Sequence, residues 1–302
     1  MRVLIIGSDT PVGVALCGYL DQRGREYVAL NKAECRWKSE RQAKKSLRRS
    51  DCKFVVDTRL QAAADGGIRI HDIDVDRSLW LARSSQALKL PFMQLSGARV
   101  CSGETDKINS EEDYPDGVSS IAQLMIGAES ALRDNCEKHV ILRTGPVFSA
   151  SGTSVVMHML AQLHAGGTLT LSRQHMGCPL PAEDAARVVS GMLDQFECGL
   201  QAWGIYHYCS SDITNCYEFA EVLLAAASQF EEFPQDTAQL ILDEDSGEGD
   251  GSSDSNNIRS RNLSCMKIKN TFAIKQQPWR TNVAGQVKQY YASQINKETN
   301  SV

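Results

Sequence analysis

The first thirteen residues, MRVLIIGSDTPVG, constrain this chain more than any other stretch. An apolar run from Val3 to Ile6 stops at Gly7. A polar turn follows at Ser8, Asp9 and Thr10, and Pro11 opens a segment that reads as helix through Leu20. Strand, tight turn, helix is the layout of a nucleotide-binding βα unit. Gly7 supplies the dihedrals a sharp turn needs, and Gly13 lets helix and strand pack closely. Pro11 suits the first helical position, where its missing N–H costs nothing, and Thr10 before it is placed to cap. The N–H groups at such a start, from Val12 and Gly13 onward, form an anion site reinforced by the helix dipole.

The alternation continues. Tyr27–Leu30 reads as a second strand, Phe54–Val56 as a third, Phe92–Leu95 as a fourth and Val140–Leu142 as a fifth. Helices fall between them at 38–50, 78–88 and 119–132. Strands alternating with helices specify an α/β fold, a doubly wound parallel sheet with right-handed crossovers. A Rossmann dinucleotide-binding domain is expected over 1–145, with 178–205 returning to it. A smaller α/β substrate region is expected over 146–302, with helices at 155–165, 182–196 and 215–228. Residues 243–257, DEDSGEGDGSSDSNN, contain no apolar residue and are expected to form a disordered acidic insert.

In a dinucleotide fold the tip of the second strand faces the adenine ribose, and an acid there favours a free 2′-hydroxyl. Here the tip is Asn31-Lys32, with Arg36 following, which favours NADP(H) over NAD(H). Thr58, Arg59 and Leu60 stand at the end of the third strand, where ligands sit in open parallel sheets.

Composition removes several classes. A net charge of −5 over 302 residues argues against a protein that holds nucleic acid by neutralising phosphates. The basic helix at 38–50 reads as a solvated face. No apolar run approaches membrane-crossing length, and the run at Val3–Ile6 is too short for a signal peptide. A cytoplasmic location is expected. The ten cysteines are scattered with no C-x-x-C pair, so no metal site is expected, and most read as small apolar thiols. His158, His164, His175 and His207 fall on separate elements without a legible acid partner.

Several pieces in order resemble the dTDP-4-dehydrorhamnose reductase family, a branch of the extended short-chain dehydrogenases. They are MRVLIIGSDTPVG, EEDYP (111–115), LRTGPVFS (142–149), RQHMGCPLPAEDAARVV (173–189), GIYHYCS (204–210) and CMKIKNTFAIKQQPWR (265–280). The resemblance implies an NAD(P)-binding Rossmann domain, a C-terminal region that closes over a sugar nucleotide, and hydride transfer to a keto-sugar. It also implies a proton-donating Tyr, a Lys four residues later that acidifies it, and a Thr or Ser at the end of the fourth strand.

The sequence departs at each of those places. Ile121 falls at the Tyr, Met125 at the Lys and Gly97 at the hydroxyl position, with Ala98 where an acid usually follows. Ser96 and Ser120 are the nearest hydroxyls. The nearest phenol, Tyr114, sits in the loop before the helix. In the cofactor turn, Gly-x-x-Gly-x-x-Gly becomes Gly7-x-x-Thr10-x-x-Gly13, so a Thr stands where a glycine normally lets the backbone approach the pyrophosphate. Cofactor contacts are expected at Gly7, Asp9, Thr10, Pro11, Val12, Gly13, Asn31, Lys32, Thr58, Arg59 and Leu60. The resemblance places a substrate-like pocket at Ser96, Arg143, His175 and Pro179, with Arg143 in a structural role.

The leading expectation is a catalytically impaired member of this family that acts by binding a nucleotide, a nucleotide sugar or a protein partner. A related subgroup serves as the non-catalytic subunit of methionine adenosyltransferase. The alternatives are an NADPH-dependent reductase using Ser120, Ser96 or an ordered water as donor, and a structural assembly protein.

Overall fold

The computed structural model describes residues 1–65, 69–104, 107–150, 154–231, 239–243 and 259–299. Its first part runs β1 (Val3–Ile6), α1 (Pro11–Gln22), β2 (Tyr27–Leu30), α2 (Glu40–Ser50), β3 (Phe54–Asp57) and α3 (Arg59–Ala64), then α4 (Asp72–Leu88), β4 (Phe92–Gly97), β5 (Ile108–Asn109), α5 (Ser120–Asn135) and β6 (His139–Thr144). The second part runs β7 (Val147–Phe148), α6 (Val155–His164), β8 (Thr168–Ser172), β9 (His175–Gly177), β10 (Leu180–Pro181), α7 (Ala182–Glu197) and β11 (Gly204–Tyr208). It ends with β12 (Thr214–Asn215), α8 (Cys216–Ala227), β13 (Gln239–Asp243), β14 (Arg259–Ser260), β15 (Asn262–Leu263), α9 (Met266–Phe272) and α10 (Arg280–Thr299).

Six strands form one parallel sheet in the order β11-β6-β4-β3-β1-β2. Strands β1, β3 and β4 are buried along their whole length, as expected of a sheet covered on both faces. Val3, Ile5, Val56 and Leu142 pack toward α1 and α7, while Leu4, Ile6, Val55 and Ile141 pack toward α2 and α4. The chain leaves β1 toward β2 and then crosses back to β3 on the other side. The switch point therefore lies between β1 and β3, and the crevice beyond their carboxyl ends is where such sheets place ligands.

A second apolar cluster joins Phe148, Leu160, Phe219, Leu223 and Val287, from β7, α6, α8 and α10, with Trp279 just before α10. Helix α4 begins six residues earlier than its apolar spacing predicts. The His71 backbone N–H donates to Asp74 Oδ2 at 3.1 Å, which caps a first turn, Asp72 to Val75, whose Ile73 is exposed. The acidic insert expected over 243–257 lies outside the described residues except for Asp243.

Candidate functional site

The turn after β1 is built tightly. Gly7 takes φ 81°, in the left-handed region. A β-carbon on Gly7 would lie 2.8 Å from Arg59 Cγ, 2.8 Å from Thr58 Oγ1 and 3.2 Å from Thr10 Cγ2. One on Gly13 would lie 2.1 Å from the Gly7 carbonyl oxygen. Thr10 is the N-cap of α1, and its Oγ1 accepts from the Gly13 N–H at 3.1 Å. Thr10 and Thr58 are both buried. Their hydroxyl oxygens are 2.7 Å apart, and each lies within 2.9 Å of the Gly7 carbonyl oxygen.

Arg59 lies beside this knot. Its Nε and Nη2 donate to the two Asp57 oxygens at 3.0 and 2.7 Å, and its guanidinium stands 5.7 Å from the centre of the Trp37 ring. The tip of β2 is held locally. The Asn31 side chain accepts from the N–H groups of Ala33 and Glu34, and Asp9 accepts from the Lys32 N–H at 2.9 Å. Leu60, next in α3, is buried.

Two cavities open on either side. The larger, about 470 Å³, lies on the side where the resemblance places the adenosine. Lys32, Arg36, Asp57, Arg59, Arg77 and Gln94 are among its walls. The other, about 240 Å³, lies beyond the ends of β4 and β6. Its walls include Asp65, Arg99, Thr144, Phe148, His175 and Pro179. Gly7, Thr10 and Gly13 line neither. A dinucleotide has to lay its pyrophosphate across that turn. Thr10 stands at the position where the family keeps a glycine, and its hydroxyl is turned inward to the Gly7 carbonyl oxygen and the Gly13 N–H.

The reactive positions are filled by carbon. A β-carbon on Gly97 would meet Ala64 Cβ at 2.6 Å and Met125 Cε at 3.7 Å. Met125 is 0 % exposed, Ala98 is buried, and Ile121 packs half-buried against the same core. Neither nearby serine lines the cavity. Ser96 is fully buried, and its Oγ has no hydrogen-bond partner among the described residues. It shares the β4 face of Phe92 and Gln94, turned toward α4. Ser120 is exposed at the start of α5, and Tyr114 is 81 % exposed in the preceding loop.

Arg143 also stands apart from the cavity. It is 1 % exposed, and its Nη2 donates to Glu129 Oε2 at 2.7 Å, pinning β6 to α5. Of the histidines, only His175 lines this cavity. His158 is exposed, His164 pairs with Glu231 at 2.8 Å, and His207 is buried with Nδ1 3.3 Å from the Asn109 carbonyl oxygen. Burial pushes the His207 imidazole down to about 3.

One cavity residue had no signal in the sequence. Asp65 Oδ2 accepts from the Val147 N–H at 2.8 Å and from Gln61 Nε2, and burial pushes its carboxyl up to about 7. No group of metal-ligating side chains occurs among the described residues, and all ten cysteines are free. No helix among those residues is long and apolar enough to cross a membrane.

Residues 1–292 match the family described as RmlD substrate binding domain. Similar curated proteins include the spore coat polysaccharide biosynthesis protein SpsK of Bacillus subtilis, 24 % identical over 74 % of this chain and 78 % of that one. Another is the dTDP-4-dehydrorhamnose reductase of Salmonella typhimurium, 23 % identical over 75 % of this chain and 78 % of that one. Among solved structures, the dTDP-4-dehydrorhamnose reductase of Bacillus anthracis in complex with NADP superposes with a TM-score of 0.75. The two share 15 % identity and cover 94 % and 98 % of the respective chains. The chain belongs to the RmlD substrate binding domain family, and its resemblance to the dTDP-4-dehydrorhamnose reductases holds across the fold.

Proposed function

We propose that this protein binds a sugar nucleotide in the cavity beyond β4 and β6 and does not reduce it. The observation that carries the reading is the packing of Met125 and Ala64 onto Gly97. Carbonyl reduction needs a proton donor within hydrogen-bond reach of the keto oxygen. Here the three positions that would surround that oxygen, Ile121, Met125 and Gly97, present a branched alkyl chain, a thioether and a bare backbone.

What remains suits binding. Arg99, Arg261, His175 and Asn215 offer polar groups around an apolar floor of Phe148, Met159 and Phe219. A few polar groups over aromatic and aliphatic walls is the usual make-up of a small-molecule site. The Salmonella typhimurium and Bacillus anthracis relatives are named dTDP-4-dehydrorhamnose reductases, so the ligand class assigned to this cavity is a nucleoside diphosphate sugar.

Two measurements test the reading together. Calorimetric titration with dTDP and a dTDP-sugar should give saturable binding that Phe148→Ala weakens. NADPH oxidation with a dTDP-4-keto-sugar should stay at the level of buffer. Turnover comparable to that of a reductase with Tyr and Lys in place would overturn the proposal, as would no binding of either ligand.

A further inference from the structure

Seven of the ten cysteines are buried, and three of these meet in one place. Cys178 joins β9 to β10, Cys209 follows β11, and Cys265 immediately precedes α9. Gly145, just after β6, lets the first two approach. A β-carbon there would lie 2.1 Å from the Cys178 carbonyl oxygen and 3.0 Å from Cys209 Cβ. Backbone bonds hold both segments to the end of β6. The Gly145 N–H donates to the Tyr208 carbonyl oxygen at 3.2 Å, and the Leu180 N–H to that of Pro146 at 2.7 Å.

The sulfurs of Cys209 and Cys265 are 3.7 Å apart, in van der Waals contact, and each lies within 3.8 Å of the Leu263 carbonyl oxygen. The Cys209 thiol also hydrogen-bonds that of Cys178, whose own Sγ donates to Asn262 Oδ1 at 3.5 Å. Cys209 therefore touches two other thiols from two separate segments. Cysteines buried singly are inert, and burial pushes the thiol of Cys35 up to about 12 and those of Cys101 and Cys136 up to about 11. The Cys178 thiol moves the other way, because the hydrogen bond from Cys209 favours its thiolate. Cys178 is 5 % exposed, and its neighbours Gly177 and Pro179 both line the cavity beyond β4 and β6.

We propose that Cys178, Cys209 and Cys265 form an intramolecular disulfide site in which Cys178 meets hydrogen peroxide and Cys209 closes the bond. The Cys178 thiolate attacks one peroxide oxygen and the O–O bond breaks. Cys178 then carries a sulfenic acid, and the departing hydroxide takes up the thiol proton as water. The Cys209 sulfur attacks the sulfenic sulfur, the S–O bond breaks, and a second water leaves with the Cys209 proton. Two thiols become one disulfide while one peroxide becomes two waters. Cys265, already against Cys209, exchanges into the bond. Its proton passes to Cys178, which leaves as the thiol with no net oxidation. In its first pairing the bond fastens the Gly177–Pro179 wall of the cavity to the end of β11. It does not depend on what the cavity binds.

The test treats the reduced full chain with hydrogen peroxide, blocks the remaining thiols with iodoacetamide and maps disulfide-linked peptides of the monomer by mass spectrometry. Cys209 should appear joined to Cys178 or Cys265, and dithiothreitol should abolish the link. Cys209→Ser should form no bond among the three positions. Cys265→Ser should hold the product as the Cys178–Cys209 pair, and Cys178→Ser should slow closure roughly tenfold or more. The map of the parent chain decides the pairing even where a variant does not fold. No link while the exposed Cys198 and Cys216 become oxidised overturns the proposal. So does a link that omits Cys209, or closure of Cys178→Ser at the parent's rate.

Discussion

Thr10 Oγ1 and Thr58 Oγ1 stand 2.7 Å apart, one from the turn after β1 and one from the loop after β3. These two strands flank the switch point of the sheet, so this contact ties the turn after β1 to the loop after β3 at the carboxyl ends where the fold places ligands. The Gly7 carbonyl oxygen completes the knot, and Arg59 Cγ covers it from the side. A glycine at position 10 would remove one of the two hydroxyls and the bulk of its methyl. The departure from the family pattern is thus not confined to one residue. It is a small packed assembly, with partners 48 positions apart.

Returning a glycine to this turn should favour a dinucleotide laid across it. Replacing Thr10 with Gly and Arg59 with Ala removes the cap, the hydroxyl contact and the side chain over Gly7. The cap and the hydrogen bond together should cost about 1–2 kcal/mol, and leaving the buried Asp57 carboxylate without Arg59 about 3 kcal/mol more, read from the urea midpoint. NADPH affinity, followed by fluorescence, should rise at least tenfold over the parent chain. An unchanged NADPH affinity with the fold intact would show that Thr10 and Arg59 are not the barrier.

Restoring the missing lysine should not restore activity. Met125 is fully buried, with Gly97, Ala64 and the aliphatic core around it. Met125→Lys places an ammonium there, and the carboxylate one turn on, Glu129, is already paired with Arg143. The expected loss is about 3 kcal/mol or more, against under about 1.5 kcal/mol for Met125→Leu. Thermal denaturation of the two variants separates charge burial from a change of shape. Near-equal midpoints would mean that water reaches position 125.

Much of the fold was legible because parallel strands buried on both faces read as short apolar runs. The five runs from Val3 to Leu142 all became strands of the sheet, and Gly204–Tyr208 became its sixth. The two-residue pairings at β7, β10 and β12 were not legible, since a bridge of that length leaves no periodic signature. The vacancy of the reactive positions could be read from Gly97, Ile121 and Met125 alone. What fills them could not, because Ala64 reaches Gly97 from an element 33 positions away. Asp65 was invisible for the same reason. Its character comes from burial under Val147, 82 positions later. Strand alternation did contain the fact that Ser96 points away from the cavity, since it shares parity with Phe92 and Gln94.

The ion pair of Arg143 and Glu129 is a structural joint, and breaking one side should show it. Both side chains are at most 3 % exposed, and three hydrogen bonds join them. Glu129→Ala leaves a buried guanidinium without its counter-charge, with an expected cost of about 3–5 kcal/mol. Replacing both residues with Leu and Met should recover most of that loss, because the desolvation of both charges is removed as well. Denaturant unfolding of the single and double variants measures the coupling. A double variant no better than the single one would place the stabilisation in something other than the pair.

His207 should set the acid limit of stability. The ring is buried on β11 beside Arg143, and burial together with that positive charge holds its folded pKa near 3, below the ordinary 6.5. Between those two values the unfolded chain binds a proton that the folded chain refuses. Stability should therefore rise with pH across this window and fall as pH drops from about 6.5 toward 3. Above pH 6.5 the ring is neutral in both states and contributes no slope. His207→Gln, which cannot titrate, should flatten this part of the curve. It keeps a group able to meet the Asn109 carbonyl oxygen, 3.3 Å from Nδ1 in the parent chain. Urea midpoints at half-unit steps from pH 4 to pH 8 give the comparison. Parallel curves for parent and variant would assign the acid sensitivity to other groups.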